Sequence, residues 1–173
     1  MTPDSTSLII VESPSKAKTL KRFLGDEYQI EASVGHIRDL PKNDLGVDVD
    51  NGFKPTYVAS EDKSKVIKQL KSLIKTARTL YLATDPDREG EAIAWHLVEL
   101  LQPKIPVKRL AFHEITKSAI KESFDHIRDI DTSLVSAQEA RRILDRLWGY
   151  KVSAKLWQNV KGGLSAGRVQ SPA

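Results

Sequence analysis

A chain of 173 residues that is 40% hydrophobic and 29% charged has ordinary globular composition, enough for one cored α/β domain and a remainder, and no run is long or apolar enough to cross a membrane. The absence of Cys excludes disulfides and thiolate metal sites, and four His without paired spacing argue against zinc. The formal charge of +4 and a pI near 9.2 permit a polyanionic partner, and the stretch from Glu139 on concentrates it, with Arg141, Arg142, Arg146, Lys151, Lys155, Lys161 and Arg168 against only Glu139 and Asp145.

The first seven residues, MTPDSTS, carry neither a basic stretch nor an apolar core ahead of a cleavage site, so they read as a disordered tail and the protein as cytoplasmic. Leu8 to Val11 is a compact apolar strand ending in Glu12. Ser13 and Pro14 form an N-cap with proline at the first helical position, Ala17, Leu20, Phe23 and Leu24 mark the buried stripe, and Gly25 ends the helix. Tyr28 to Val34 is the next strand, and Gly35 to Pro41 leaves it in a polar, sharply turning segment. Its His36 and Arg38 can reach phosphate, although His36 serves equally as a neutral structural histidine. Lys42 to Ser60 is rich in Gly, Asp, Asn and Pro, and is expected to be a long loop with one short strand near Tyr57 to Ala59, long enough to suggest a functional surface.

Asp62 to Ala77 carries Val66, Ile67, Leu70, Leu73, Ile74 and Ala77 at helical spacing, ringed by Lys63, Lys65, Lys68, Lys71 and Lys75, which a solvated face would explain. Thr79 to Thr84 is a short buried strand, and from Glu91 the apolar residues follow a helix through Leu101. Between them Asp85, Asp87 and Glu89 are spaced i, i+2, i+4. If the chain is still extended there, the two aspartates lie on one side, roughly 6 to 7 Å apart, close enough for one hydrated cation to bridge. Three carboxylates in five residues need a counter-ion, and magnesium, which takes hard oxygens and shares itself with phosphate, is the natural candidate. The competing reading is an ordinary turn and an acidic helix start. Because open parallel sheets gather their sites at the carboxyl ends of strands, Glu12 can converge on the same corner.

Pro106 to Phe112 is a fourth strand and Lys117 to Ile127 a helix, giving four alternations of strand and helix. The fold class is therefore α/β, a mostly parallel four-stranded sheet with flanking helices. From Asp131 the chain turns all-helical, with Leu134, Ala137, Ala140, Ile143, Leu144 and Leu147 as one apolar face and Arg142 and Arg146 neighbours on another; Gly149 either ends this helix or is carried through it. The glycine-rich ending GGLSAGRVQSPA has the look of a fragment boundary.

LIIVESPSKAKTL at Leu8 to Leu20, SVGHIRDLP at Ser33 to Pro41, ATDPDREGEAIAWH at Ala83 to His96, FHEIT at Phe112 to Thr116, and AQEARRILDRLWGY followed by GGLSAGRVQSPA resemble bacterial DNA topoisomerase I, of the type IA class, in the family's order. The resemblance implies a Rossmann-like Toprim domain over residues 8–129, then over 130–173 the truncated start of a helical domain that lines a single-strand groove. It implies Glu12 as the acid that exchanges a proton with the DNA 3′ hydroxyl, and Mg2+ held by Glu12, Asp85, Asp87 and Glu89. It further implies DNA contacts by His36, Arg38, Arg141, Arg142, Arg146, Tyr150, Arg168 and Gln170. The implied parent reaction is ATP-independent relaxation of negatively supercoiled DNA by a monomer through transient single-strand cleavage, strand passage and religation. The family's nucleophilic tyrosine sits in a context that none of Tyr28, Tyr57, Tyr81 or Tyr150 matches, so the chain is expected to lack its own covalent catalyst. Two other readings stand beside this one: a non-catalytic nucleic-acid-binding module, and a free-standing Toprim nuclease or primase.

Overall fold

β1 (Ser7–Val11) is buried on both of its faces, which is why it reads as a continuous apolar run rather than an alternation. Leu8 and Ile10 point into one hydrophobic layer and Ile9 and Val11 into the other. The computed structural model describes residues 6–161 and residue 163. Residues 1–5 of the expected tail lie outside them, whereas Ser7 already belongs to β1.

β1 pairs in parallel with β2 (Tyr28–Ala32) on one side and with β3 (Leu80–Leu82) on the other, and β4 (Val107–Arg109) continues from β3. The sheet order β2-β1-β3-β4 is the expected four-stranded parallel sheet. α1 (Pro14–Leu24) and α4 (Lys117–Asp125) cover the face of Ile9 and Val11 through Leu20 and Ile120. α2 (Ser64–Ile74) and α3 (Arg88–Leu101) cover the other face through Ile67, Leu70, Ile93 and Leu97. Ser13 caps α1, its hydroxyl accepting from Lys16 N at 3.3 Å, and Gly25 ends it at φ 65. The strands are shorter than the apolar runs suggest, β3 ending at Leu82 and β4 at Arg109, although Ala83 N still donates to the Ile10 carbonyl at 2.8 Å and Leu110 N to the Leu82 carbonyl at 2.9 Å along the buried path.

Two compact units result. The first joins residues 1–39 to 59–135 and contains the sheet; the second joins Leu40–Val58 to the chain from Ser136 on. The loop of the second unit carries more than one short strand: Val47–Asp48 pairs antiparallel with Lys54–Pro55. α5 (Thr132–Asn159) runs straight through Gly149 as one helix. Its first turn is capped by Asp131, whose Oδ1 accepts from Ser133 N at 2.9 Å and Leu134 N at 3.2 Å. Of the apolar face drawn from the sequence, Leu134, Ile143 and Leu147 are half-buried but Ala137, Ala140 and Leu144 are exposed, and the buried positions are Val135 and Gln138. Polar satisfaction explains the difference: Arg146 donates to the carbonyls of Pro41 at 2.7 Å, Asp44 at 3.1 Å and Leu40 at 3.3 Å, so that side of α5 is turned to backbone acceptors instead of to an apolar layer.

Leu97 is fully buried between α3 and the sheet. Leu97→Ala is expected to lower the unfolding free energy by about 2–5 kcal/mol without loss of helical signal, as measured by urea denaturation.

Candidate active site

The sheet order reverses direction at β1, whose neighbours β2 and β3 lie on opposite sides, and this switch opens a crevice at the carboxyl ends of β1 and β3. Glu12 immediately follows β1, and Asp85 follows β3 by three residues. Lys16, one turn into α1, joins them: its Nζ lies 3.1 Å from Glu12 Oε1 and 2.9 Å from Asp85 Oδ1. The same ammonium stands 4.9 Å from the centre of the Phe112 ring, so β1, the acidic corner and the segment after β4 all meet on one buried cation. Lys16 was not singled out by the sequence; its i+4 spacing from Glu12 across the helix start was the available signal.

The other two acids take different local partners. The chain bends at Pro86 instead of staying extended, and Asp87 becomes the N-cap of α3, its Oδ1 accepting from Gly90 N at 2.7 Å. The picture of two aspartates sharing one side of an extended strand therefore gives way, for Asp87, to the helix-start reading. Glu89, half exposed, meets His36 Nε2 at 2.8 Å. Arg38 lies 5.7 Å from the Trp95 ring on α3, so the turn after β2 is fastened to α3 at two points. That turn is itself strained: Val34 has φ 58, a conformation that costs a β-branched residue on the order of 1–3 kcal/mol, and Gly35 beside it donates its N–H to the Glu12 carbonyl at 2.8 Å.

Behind the corner lies a network that sequence reasoning missed. Glu91 and Arg109 are both fully buried, and Arg109 Nε reaches Glu91 Oε2 at 3.0 Å and Oε1 at 3.1 Å. Arg128 adds a two-pronged contact at 2.8 and 3.1 Å, and Asp131 N donates to the same carboxylate at 3.3 Å. Burial pushes the Glu91 carboxyl up, but the Arg128 hydrogen bond, the Arg109 charge and the further donors together hold it below the ordinary glutamate value. Arg109 also donates to the backbone carbonyls of Leu82 at 3.0 Å, Leu110 at 2.6 Å and Asp85 at 2.6 Å. Gly90 completes the fit, because a Cβ there would collide with the Asp85 backbone.

In the second unit Arg141 stands 3.8 Å from Asp145, a loose surface pair, and Arg142 is half-buried on α5. Arg146 is held by the loop carbonyls and lies 5.7 Å from the ring of Tyr150, which is exposed. Arg168 and Gln170 lie outside the described residues.

Residues 7–115 match the Toprim domain family, and residues 129–173 match the DNA topoisomerase family. The chain belongs to the Toprim domain family, and its second match and its relatives are DNA topoisomerases. It is 58% identical over 96% of its length to DNA topoisomerase 1 of Streptomyces coelicolor and 53% identical over 96% to that of Synechococcus elongatus. It spans about a fifth of the length of these curated relatives, 19% and 20% respectively. A solved full-length topoisomerase I from Thermotoga maritima superposes with a TM-score of 0.87 at 50% identity, covering 95% of this chain and 28% of that one.

The family implies magnesium, and the donor set can be tested against it. Among the described residues no three His, Asp or Glu side chains converge tightly enough to hold an ion by themselves. The corner instead offers hard carboxylate oxygens that are open to water, Asp85 at 58% and Glu89 at 53% exposure, the first paired with Lys16 and the second hydrogen-bonded to His36. That fits a hydrated ion held through one or two carboxylates and completed by substrate phosphate, not an all-protein cage.

Two predictions follow from the network and from α3. Glu91→Gln leaves Arg109 charged in a dry site and is expected to cost about 3–5 kcal/mol in urea denaturation. Because the folded glutamate value is depressed, its contribution is present above the ordinary value of 4.5 and is lost as pH falls through the lower folded one, so the variant should lack that acid-sensitive component. His96, buried on α3, is pushed down to about 3 from 6.5 by burial, then by the charges of Arg38 and His36. The unfolded chain takes up a proton that the folded one refuses, so stability should decline as pH falls from about 6.5 toward 3, by up to about 1.4 kcal/mol per pH unit. His96→Gln should flatten that decline; an unchanged pH profile would show that His96 does not cause it.

Proposed function

We propose that this chain supplies the acid and metal half of an ATP-independent DNA topoisomerase that relaxes negatively supercoiled DNA by transient single-strand cleavage and religation. The observation that carries the reading is the shared hold of Lys16 on Glu12 and Asp85 at the switch point of a parallel sheet. Lys16 is placed to exchange one carboxylate for a phosphate oxygen of a bound strand, which would leave Glu12 beside the scissile bond. In cleavage a tyrosine oxygen, its proton released to water, bonds to phosphorus, the bond from phosphorus to the 3′ oxygen breaks, and Glu12 gives that oxygen its proton; in religation the Glu12 carboxylate takes the proton back and the departing tyrosine oxygen is reprotonated from water. Asp85, Asp87 and Glu89 would hold Mg2+, which screens phosphate charge when bound. His36 and Arg38, beside the same crevice, and Arg141, Arg142, Arg146 and Tyr150 on α5 are the side chains proposed to meet the strand.

The tyrosines of this chain are poor candidates for the nucleophile. Tyr28 and Tyr81 pack with Phe124, at centroid distances of 5.3 and 5.4 Å, and burial, then Tyr81 and Glu27, push the Tyr28 hydroxyl above its usual value. We therefore expect the chain to bind single strands, more weakly as salt rises, and to break none. Incubation with supercoiled plasmid and Mg2+ followed by denaturation should yield neither relaxed topoisomers nor DNA-linked protein. Mg2+ should strengthen single-strand binding, and Asp85→Asn with Glu89→Gln should abolish that gain. A gain that survives the double variant would overturn the metal assignment, and multiple-turnover cutting without attached protein would make the chain a Toprim nuclease.

A further inference from the structure

α2 carries Lys65, Lys68 and Lys71, with Lys75 at its C-cap and Arg78 just beyond, and from Ser64 to Arg78 there is no acidic residue. All five cationic residues are exposed, while Ile67, Leu70 and Ile74 fill the buried side. Among the described residues none of the five forms an ion pair. Neighbouring acids are committed elsewhere or lie at the end: Glu31 accepts from Gln69 at 3.1 Å, Asp62 pairs with Lys63 at 3.4 Å, and Glu61 precedes the helix in the short 3-10 turn Glu61–Lys63. A merely solvated face usually mixes signs, because like charges three and four residues apart destabilise a helix. This face keeps four lysines at spacings of three and four.

The topology orients the stripe. α2 carries the chain from the carboxyl end of β2 back to the amino end of β3, and the two strands are parallel, so the helix runs against them. Lys65 thus lies toward the edge that holds Glu12 and Asp85, and Lys75 and Arg78 lie toward the far edge. From Lys65 to Lys75 the helix rises about 15 Å, which faces roughly four phosphates of one DNA strand at 3.4 Å each.

We infer that the exposed face of α2 is a second nucleic-acid contact, a phosphate-backbone track that leads away from the acidic corner along the flank of the sheet. It rests on the reading of the chain as a DNA-acting protein, and extends it to a surface distinct from both the corner and α5. The track reads charge and spacing, not bases, so it takes any strand whose backbone it can follow.

The test is the salt dependence of binding by the full chain, measured by fluorescence anisotropy with a single-stranded oligonucleotide and with a duplex. The α2 variant is Lys68→Gln, Lys71→Gln and Lys75→Gln together. A control of equal charge change on the opposite layer is Lys18→Gln, Lys21→Gln and Arg22→Gln on α1. The α2 variant should make the slope of log affinity against log salt shallower by about 2 to 3 with the strand form that uses the track, while the control leaves it unchanged. The oligonucleotide that shows the change identifies whether a single strand or a duplex lies there. Equal loss in both variants, or loss in neither, would overturn the track while leaving the active-site reading intact. Absence of all binding by the unmodified chain would overturn the nucleic-acid reading and the track together.

Discussion

The buried pair of Glu91 and Arg109 is the constraint on which the acidic corner depends. Two desolvated charges at 3.0 Å are tolerable because further partners surround them, Arg128 and the Asp131 amide on the carboxylate and the carbonyls of Leu82, Asp85 and Leu110 on the guanidinium. The outcome is a rigid tie among the end of β3, the start of α3, β4 and the turn before α5. The Asp85 backbone is fixed from one side by Arg109 and from the other by the close approach of Gly90, so its side chain has little freedom except toward the crevice and Lys16.

Much of this was legible in the chain because it follows from local patterning. β1, α1 with its Ser13 cap and Gly25 stop, and the apolar stripe of α2 are each set by residues within a few positions of one another. The convergence of Glu12 and Asp85 was legible for a different reason: parallel strands bring their carboxyl ends together whatever lies between them. The role of Asp87 as a cap depends on where α3 starts, three residues earlier than the apolar spacing indicates.

What was not legible depends on pairings distant in sequence. Arg109 lies 18 residues from Glu91, and Arg128 lies 37 away. An arginine in a short strand and a glutamate in a helix look like surface residues until the fold buries both. The inward side of α5 failed for the same reason, since Arg146 answers to carbonyls more than 100 residues upstream that no periodicity can reveal. Polar burial is paired burial, and the pair must be known before either member can be read as internal.

The acidic corner also shows how carboxylates can be kept together without a cage. The start of α3 favours negative charge, so Asp87 as cap and Glu89 in the first turn are stabilised by the helix itself. Lys16 pairs with both Glu12 and Asp85, one positive charge against two negative, and His36 meets Glu89. Each acid thus has a partner within the protein, Glu12 and Asp85 sharing one. A phosphate entering the crevice meets net negative charge at Asp85 and Glu89 but an ammonium at Lys16, and approach along the Lys16 side is favoured. Displacing Asp85 from Lys16 in that approach would free a carboxylate at the moment when phosphate oxygens become available as fellow ligands. On the proposed reading, a cation would then be bound best when the strand is present, which would couple metal and nucleic acid through one lysine without any rearrangement of the sheet.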